Sequence, residues 1–444
     1  MRRPYSPLTP EQKQQWSGQV LGNEVTPAAL QKAGVYIHIP FCSSRCRYCD
    51  FYFETGWSPR VMHRTLDRIV QEAAYFMKHS GYPEIKTLYI GGGTPSVIPP
   101  QQLSVFLQSL STIFNMRNSP PLEWSFEANP ENIDRELLAI LAEQGVTRLS
   151  IGVQTFCDDL LRILTRRAYS NTVNSALQLV HTDWVSPQRS FSIDLISGIP
   201  GQTPQHITHD IENAERFAPH HISHYTLTIE PQTPLSDLIR RRELFLPDQD
   251  ELWEQLNNGL GRLGFEQYEV SNYARNQQYS LHNQAYWRMY PYIGLGPGAV
   301  GTIPLTSHQN AVFPARLTNP DLFRYSAPST KTWLHEIEPL NAVDMFTDYC
   351  ITGLRTKWGM NLHDLHEVFG STVDTILDLF INPQKQLFIR NKNSICCTEQ
   401  GRLLLNQVIK TGLESIERND GWALLRNANL SWPTQGSFTF PVNP

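Results

Sequence analysis

Three cysteines, Cys42, Cys46 and Cys49, are spaced CxxxCxxC in a loop that follows the apolar run 35–41. A loop of this length can direct three thiolates toward one centre, and cysteine thiolates are the usual protein ligands of iron–sulfur clusters. Three ligands leave one iron of a four-iron cluster open, and an open metal position can bind and activate a small molecule. A zinc site and structural disulfides stay open as alternatives, although zinc usually takes four protein ligands and disulfides need an oxidising compartment.

Length, composition and charge limit the classes of protein to which this chain can belong. The chain has 444 residues, enough for two or three domains, and a formal net charge of -5, which offers no basic field for nucleic acid. No apolar run approaches the length of a spanning helix, and the first residues lack the apolar core of a signal peptide, so we expect a cytoplasmic protein. Four further cysteines are scattered and are expected to be buried or inert thiols: Cys157, Cys350, Cys396 and Cys397.

From Val35 onward, short apolar runs alternate with stretches of helical period. The predicted strands are 35–39, 87–90, 124–128, 148–153, 190–196 and 221–228, and helices are predicted between them, among them 58–77, 134–143 and 204–217. Six successive βα units indicate a parallel sheet that curls toward a barrel. In such folds the chemistry lies at the C-terminal ends of the strands.

Chemically unusual residues follow each of these strands. The second runs into 91–96, where Gly92, Gly93 and Thr94 let the backbone approach a ligand, although a plain turn is the alternative. The next three strands carry Glu127, Gln154 and Asp194 near their ends, with Arg166 about three helical turns after Gln154. Carboxylates accept hydrogen bonds from hydroxyl or amino groups, and an arginine can clamp a carboxylate. Polar residues at successive strand ends therefore predict a ligand site.

The cysteine motif, preceded by YIHIPFC (36–42) and continued by CDF (49–51), resembles the signature of radical S-adenosylmethionine (SAM) enzymes. Within that superfamily it resembles the oxygen-independent coproporphyrinogen III oxidases and the related HemW-type heme chaperones, over residues 35 to about 415. The resemblance implies an α/β fold, a partial (β/α)6 TIM-like barrel, with a 4Fe–4S cluster held by the three cysteines and SAM at the open iron. It also implies one-electron cleavage of SAM to methionine and a 5'-deoxyadenosyl radical.

The resemblance carries over to individual positions. Tyr48 would lie beside the cluster. The residues that would surround SAM are Tyr36, Gly92, Gly93, Thr94, Glu127, Gln154, Arg166, Asp194 and Thr228. No residue is assigned a catalytic role.

Residues 265–302 carry a second distinctive motif. The segment 282–287 matches the HNxxYW motif of the heme-chaperone branch, and 268–271 (YEVS) matches that branch as well. His282 is a candidate heme-binding residue, because imidazole ligates iron and aromatic rings pack on the macrocycle; a hydrogen-bonded structural histidine is an equal alternative. The glycine-rich turn 294–299 is predicted to return the chain to the barrel mouth.

Composition and pattern divide the chain into an N-terminal extension (1–33), the radical SAM core with its HNxxYW segment (34–314), a linker (315–339) and a C-terminal domain (340–444). Predicted helices at 344–355, 362–369, 372–381 and 401–413, with a strand pair near 387–395, indicate a small α+β, winged-helix-like domain. Because it lacks a basic stripe, we interpret it as a lid or docking domain, not as a DNA-binding module.

Two features favour one functional branch. The oxidases usually have a fourth cysteine where this chain has Phe51, and HNxxYW belongs to the chaperones. We therefore expect a heme chaperone that binds heme and transfers it to an acceptor protein, which could be membrane-associated, with an electron donor as a further partner. Departures from the chaperones are Thr165 in place of Gly, and Ala168 and Val300 in place of His.

Two alternatives remain. One is a coproporphyrinogen III oxidase that decarboxylates two propionates to give protoporphyrinogen IX. The other is a non-catalytic heme-binding protein that uses the cluster as a redox switch. Whether the protein is an enzyme is therefore open.

Overall fold

The computed structural model describes residues 25–307, 312–326 and 335–426. Most of the predicted N-terminal extension and the last eighteen residues of the chain lie outside the described residues. The described chain begins with a short strand, β1 (Val25–Pro27).

Six parallel strands form the centre of the fold, at the six predicted places. They are β2 (Lys32–Ile39), β3 (Glu84–Gly92), β4 (Glu123–Ala128), β5 (Arg148–Gln154), β6 (Ser190–Ser197) and β7 (His221–Thr226). Each pairs with the next in chain order. The intervening helices are α1 (Pro59–His79), α2 (Pro100–Ile113), α3 (Arg135–Gln144), α4 (Asp158–Ile163), α5 (Ser170–Leu179) and α6 (Pro204–Phe217). The predicted βα architecture is confirmed.

Local sequence signals explain where these helices begin. Proline occupies the first position of α1, α2 and α6, where its missing N–H is no loss and its fixed φ suits a helix. Asp134 caps α3 by accepting a hydrogen bond from the backbone N–H of Leu137 at 2.8 Å. Gly145 ends the same helix with φ +92°, a left-handed conformation that glycine adopts without penalty.

The segments that follow β7 in the chain add strands to both edges of the six-stranded sheet. Two further helices, α7 (Pro234–Arg240) and α8 (Gln249–Arg262), precede β8 (Glu266–Glu269) and β9 (Asn272–Ala274), and β9 pairs antiparallel with β7. Helix α9 (Leu281–Trp287) leads to β10 (Tyr292–Leu295), which pairs in parallel with β2. The strands β11 (Val300–Ser307), β12 (Val312–Thr318) and β13 (Glu336–Pro339) follow in antiparallel order.

Strands lie inside two of the segments predicted to lie outside the domains. Residues 25–27 and 32–33 do not belong to an extension, because β1 pairs with β11 and β2 begins at Lys32. In its described part the predicted linker 315–339 contains strand residues, because β12 and β13 pair there and Arg316 forms a 2.8 Å ion pair with Glu338 across them. Helix α10 (Leu322–Tyr325) lies between the two strands. Proline, serine and asparagine suggested a linker, but sheet pairing outweighs such local preferences.

The C-terminal part is a separate α+β unit. It comprises α11 (Ala342–Gly353), β14 (Met360–Asn361), α12 (Leu362–Phe369), α13 (Thr372–Ile381), β15 (Phe388–Arg390), β16 (Ser394–Cys397), α14 (Glu399–Leu403), α15 (Leu405–Arg418) and α16 (Trp422–Arg426). Its strands form a three-stranded sheet, and its apolar side chains form their own core around Phe346 and Phe380. The predicted helix 401–413 is two helices, because Leu404 leaves helical geometry at φ -101° and ψ 21°.

Charged side chains connect this unit to the barrel. Lys357 forms a 2.6 Å ion pair with Glu266, and Arg355 pairs with Glu269.

Within the described ranges, no helix has the length and apolar character needed to cross a membrane.

Candidate functional site

A cavity of about 500 Å³ opens at the C-terminal ends of the parallel strands. The predicted site residues that line it are Cys42, Cys46, Tyr48, Cys49, Gly92, Gly93, Thr94, Glu127, Gln154, Arg166, Asp194 and Thr228. Tyr36 and His282 are not among its lining residues. The tertiary fold thus gathers residues from five strands, β3 to β7, and the cysteine loop that follows β2 into one place.

The three loop cysteines are free thiols that face this cavity. Burial raises the pKa of the Cys42 thiol to about 11; the nearby Thr94 hydroxyl opposes the rise and the thiols of Cys49 and Cys46 add to it. Within the described residues, no three candidate ligands converge closely enough to hold a single metal ion. Three cysteine thiols around one cavity suit a cluster, in which each thiolate binds a different iron. The donor set therefore fits a 4Fe–4S cluster.

The glycine run packs directly against the start of the cysteine loop. The backbone N–H of Gly93 donates to Ile39 O, and that of Thr94 donates to Phe41 O, both at 2.8 Å. A Cβ on Gly93 would lie 2.9 Å from Phe41 O, so a larger residue would push the loop away. The Thr94 hydroxyl lies 3.5 Å from the Cys42 thiol. Segment 91–94 therefore positions Cys42, the first of the predicted cluster ligands.

Thr165 holds the middle of the cysteine loop. It has φ +55°, a left-handed conformation that is rare for a β-branched residue and that the glycine of the chaperones would adopt freely. Its hydroxyl accepts a hydrogen bond from the backbone N–H of Arg47 at 3.1 Å. The neighbouring Leu164 O accepts from the same N–H at 3.2 Å. The threonine hydroxyl thus adds a contact with the cysteine loop that a glycine could not make.

Glu127, near the end of β4, lines the cavity. It accepts hydrogen bonds from the Tyr89 hydroxyl at 2.6 Å and from the backbone N–H of Gly92 at 3.1 Å. Burial raises the pKa of Glu127 to about 7; these two hydrogen bonds oppose the rise, and the charge of Asp194 adds to it. Burial likewise raises the pKa of Asp194 to about 6. Two acids that titrate near neutral pH face the space predicted for a cationic ligand.

SAM affinity is expected to rise with pH because of Glu127. A cationic ligand favours the carboxylate, so below a pKa of about 7 binding must first displace a proton. Equilibrium dialysis of the cluster-loaded protein should show binding that is about tenfold weaker at pH 6 than at pH 8. The Glu127→Gln variant has no proton to lose and should show a much flatter profile. An equally steep profile in that variant would assign the effect to another group.

Arg166 contacts three places at the C-terminal edge of the sheet: β5, the residue that follows β4, and the cysteine loop that follows β2. Its guanidinium donates to Gly152 O at 2.7 Å and to Asn129 Oδ1 at 3.0 Å, and it lies 3.8 Å from the Cys46 thiol. The Asn129 amide in turn donates to the Thr94 hydroxyl at 3.4 Å. Sequence reasoning missed Asn129, although its place directly after a strand and before a proline was a usable signal.

The barrel interior below this layer is polar. Alternate residues of β5, β6 and β7 line the cavity, while the residues between them pack into the apolar core. The lining residues that sequence reasoning did not select include Tyr89, Arg148, Ser192, His221, Ser223 and Tyr225. Alternation of polar and apolar residues in SFSIDLIS (190–197) was the available signal.

The two remaining predicted residues lie deeper. The Tyr36 hydroxyl hydrogen-bonds to His38 Nδ1 at 2.9 Å, and its ring lies 6.2 Å from that of Tyr89. His282 is 8% exposed, its Nδ1 lies 3.0 Å from the Thr87 hydroxyl, and burial lowers its pKa to about 4. The structure thus places His282 within the barrel and not in the cavity wall.

Comparisons with known proteins agree with this geometry. The family model described as "Radical SAM superfamily" matches residues 36–214. The heme chaperone HemW of Bacillus subtilis is 33% identical over 380 residues, which are 84% of this chain and 97% of that protein. The mitochondrial radical S-adenosyl methionine domain-containing protein 1 of Bos taurus is 30% identical over 412 residues, 89% of this chain and 91% of that protein.

A solved structure shows the same fold. The coproporphyrinogen III oxidase HemN of Escherichia coli matches with a TM-score of 0.67 at 20% identity, covering 86% of this chain and 90% of that one. Membership of the superfamily implies a 4Fe–4S cluster and SAM. This chain belongs to the radical SAM superfamily and, within it, to the family that contains the HemW proteins.

Proposed function

We propose that this protein is a heme chaperone, which binds heme and transfers it to an acceptor protein. The observation that carries the proposal is the near end-to-end similarity to the B. subtilis heme chaperone HemW, 97% of whose length is matched. A second observation supports it. Phe51, which stands where the oxidases usually have a fourth cysteine, lies at the cavity mouth and is 75% exposed.

The barrel mouth is the proposed site of the cluster and SAM. Cys42, Cys46 and Cys49 would hold the cluster, which when bound supplies one electron for cleavage of SAM. Glu127 is placed to accept hydrogen bonds from a cationic ligand, and Arg166 keeps the Cys46 side of the site positive. The surrounding walls limit access of water to the bound ligand.

The partners and the compartment follow from the same proposal. An electron donor must reach the cluster, and a heme acceptor must reach the protein; the C-terminal unit is our candidate for their docking or for a lid. All seven cysteines are free thiols, as expected in a reducing compartment, which supports a cytoplasmic location.

One anaerobic experiment separates the functions. The cluster is reconstituted and reduced, and the protein is incubated either with heme or with SAM and coproporphyrinogen III. A chaperone should capture heme stoichiometrically, as followed by its absorption spectrum, and should form no protoporphyrinogen IX. The E. coli oxidase HemN is the positive control for turnover.

The other possible results of this experiment would identify one of the alternative functions or contradict the proposal. Protoporphyrinogen IX formed with consumption of SAM would identify an oxidase despite Phe51. Heme captured equally well with and without cluster or SAM would favour a binding protein in which SAM cleavage is dispensable. Failure of the wild-type protein to capture heme contradicts the proposal.

A further inference from the structure

A second cavity, of about 690 Å³, lies between the barrel and the C-terminal unit. We call it the interdomain cavity, and its defining residues are Tyr279, Gln284, Trp287, Arg288, Tyr349 and Trp358. None of its lining residues lines the cavity at the barrel mouth. Its volume falls in the range of sites for cofactors and drug-sized molecules.

Aromatic side chains form one side of the interdomain cavity. Trp287, Tyr279 and Tyr349 are 7%, 6% and 3% exposed, whereas Trp358 is 38% exposed. The ring centroids of Tyr279 and Trp358 are 5.2 Å apart at 86°, so the two rings meet edge to face. Trp358, the most exposed of the four, offers ring surface on which a planar ligand can pack.

Two lining residues carry a buried polar atom without a partner. Gln284 and Tyr349 are 8% and 3% exposed, and neither Gln284 Nε2 nor Tyr349 Oη has a hydrogen-bond partner among the described residues. Buried polar groups are nearly always paired in native proteins. Unpaired polar atoms on two separate elements around one cavity indicate a ligand that offers hydrogen-bonding groups.

Cationic groups stand beside the aromatic wall. Lys357 Nζ lies 5.0 Å from the Trp358 ring centroid, held by Glu266 at 2.6 Å and the Tyr279 hydroxyl at 2.8 Å. The Arg288 guanidinium makes no hydrogen bond or ion pair within the described part of the chain. Burial raises the pKa of the nearby Asp364 to about 6, although the charge of Arg288 opposes the rise. Arg288 lines the cavity and is placed to pair with an acidic substituent of a ligand.

Helix α9 divides the HNxxYW motif between the two cavities. His282 points to Thr87 inside the barrel, and Asn283 lines the barrel cavity. Gln284, Trp287 and Arg288 line the interdomain cavity instead. His282 and Gln284 are two residues apart, so their side chains lie about 200° apart around the helix and face different sides of it.

We propose that the interdomain cavity is the heme site: it takes a planar, carboxylate-bearing tetrapyrrole, with its ring on the aromatic wall and a propionate at Arg288. The proposal deepens the heme-chaperone function and rests on it. It places the tetrapyrrole apart from the cluster and SAM, and it makes recognition depend on the ring and its carboxylates.

Titration of the cluster-loaded protein with heme and with iron-free protoporphyrin IX tests this assignment. Trp358→Ala and Arg288→Ala should each weaken binding of both ligands by about tenfold or more, as truncation of aromatic and arginine anchors commonly does. Trp358→Phe and Arg288→Lys should restore most of the affinity. Matched controls on α8, Trp253→Ala and Arg262→Ala, lie outside the cavity and should bind like wild type. Unchanged cluster absorbance in each variant shows that the fold is intact.

The competing site is tested in the same series with His282→Ala. Loss of heme binding in that variant, with wild-type affinity in the Trp358 and Arg288 variants, would place heme in the barrel and overturn the inference alone. Wild-type affinity in all three variants also overturns it, while the chaperone function stands. Absence of heme binding by the wild-type protein overturns the function and the site together.

Discussion

Replacing Cys42, Cys46 or Cys49 by Ala is expected to abolish the 4Fe–4S cluster. A cluster with three protein ligands already has one open iron, and losing another ligand leaves only two to hold it. After anaerobic reconstitution, iron and sulfide content should fall to background, and the electron paramagnetic resonance signal of the reduced cluster should disappear. SAM cleavage should be lost with it.

The fold should survive these substitutions. The three cysteines are half-buried in a loop, outside the apolar core. Circular dichroism of the cluster-free variants should therefore match that of the cluster-free wild type. Cys396→Ser, at a half-buried cysteine far along the chain in β16, is the matched control and should keep the full cluster. An intact cluster spectrum in a loop variant would falsify the assignment of that cysteine as a ligand.

The second large effect is expected on stability, from Glu72→Ala. Glu72 lies on α1 with a fully buried side chain. Its carboxyl group accepts hydrogen bonds from the Gly296 backbone N–H at 2.9 Å and the Tyr325 hydroxyl at 2.6 Å, and it pairs with His335 at 3.1 Å. Alanine removes the shared acceptor and leaves a cavity, so the free energy of unfolding should fall by about 3–5 kcal/mol.

Chemical denaturation of the cluster-free proteins measures this change. Glu84→Ala is the control, because Glu84 is partly exposed and its ion pair with Lys86 is worth only about 0–1 kcal/mol. Glu72→Gln keeps the shape and one acceptor and should fall between the two. A loss below about 1 kcal/mol for Glu72→Ala would mean that the three segments do not depend on this contact.

Glu72 also illustrates what local patterns cannot predict. Its three partners lie in the turn after β10, in α10 and just before β13, more than 220 residues along the chain. In the sequence it is one polar residue in a helix, and helical polar residues usually face solvent. Only the docking of β10–β13 against α1 makes it a buried acceptor.

The barrel strands show the opposite case. Each predicted strand has a regular apolar pattern, and parallel βα units pair in chain order, so sequence reasoning placed all six strands correctly. The strands β10 to β13 escaped it because each contains glycine or proline, which are unfavourable in strands.

The residues of the candidate site likewise fall into those that the sequence predicted and one that it did not. Short-range spacing identified the cysteine loop, the glycine run and the strand-end acids, because strand direction alone brings such residues to one edge. Asn129 escaped notice because its role is to join Thr94 to Arg166, two residues that are adjacent only in space.

The sequence by itself determined the chemistry of the barrel mouth. The spacing of the thiols and the polar residues at the strand ends are local properties, and in a parallel βα fold all the strand ends lie at one edge of the sheet. The tertiary structure alone decided how the HNxxYW motif is used. Its helix lies between two cavities, so His282 faces the barrel and Trp287 faces the C-terminal unit. Helical periodicity sets the angle between these side chains, but what each side of the helix meets depends on how distant segments pack around it.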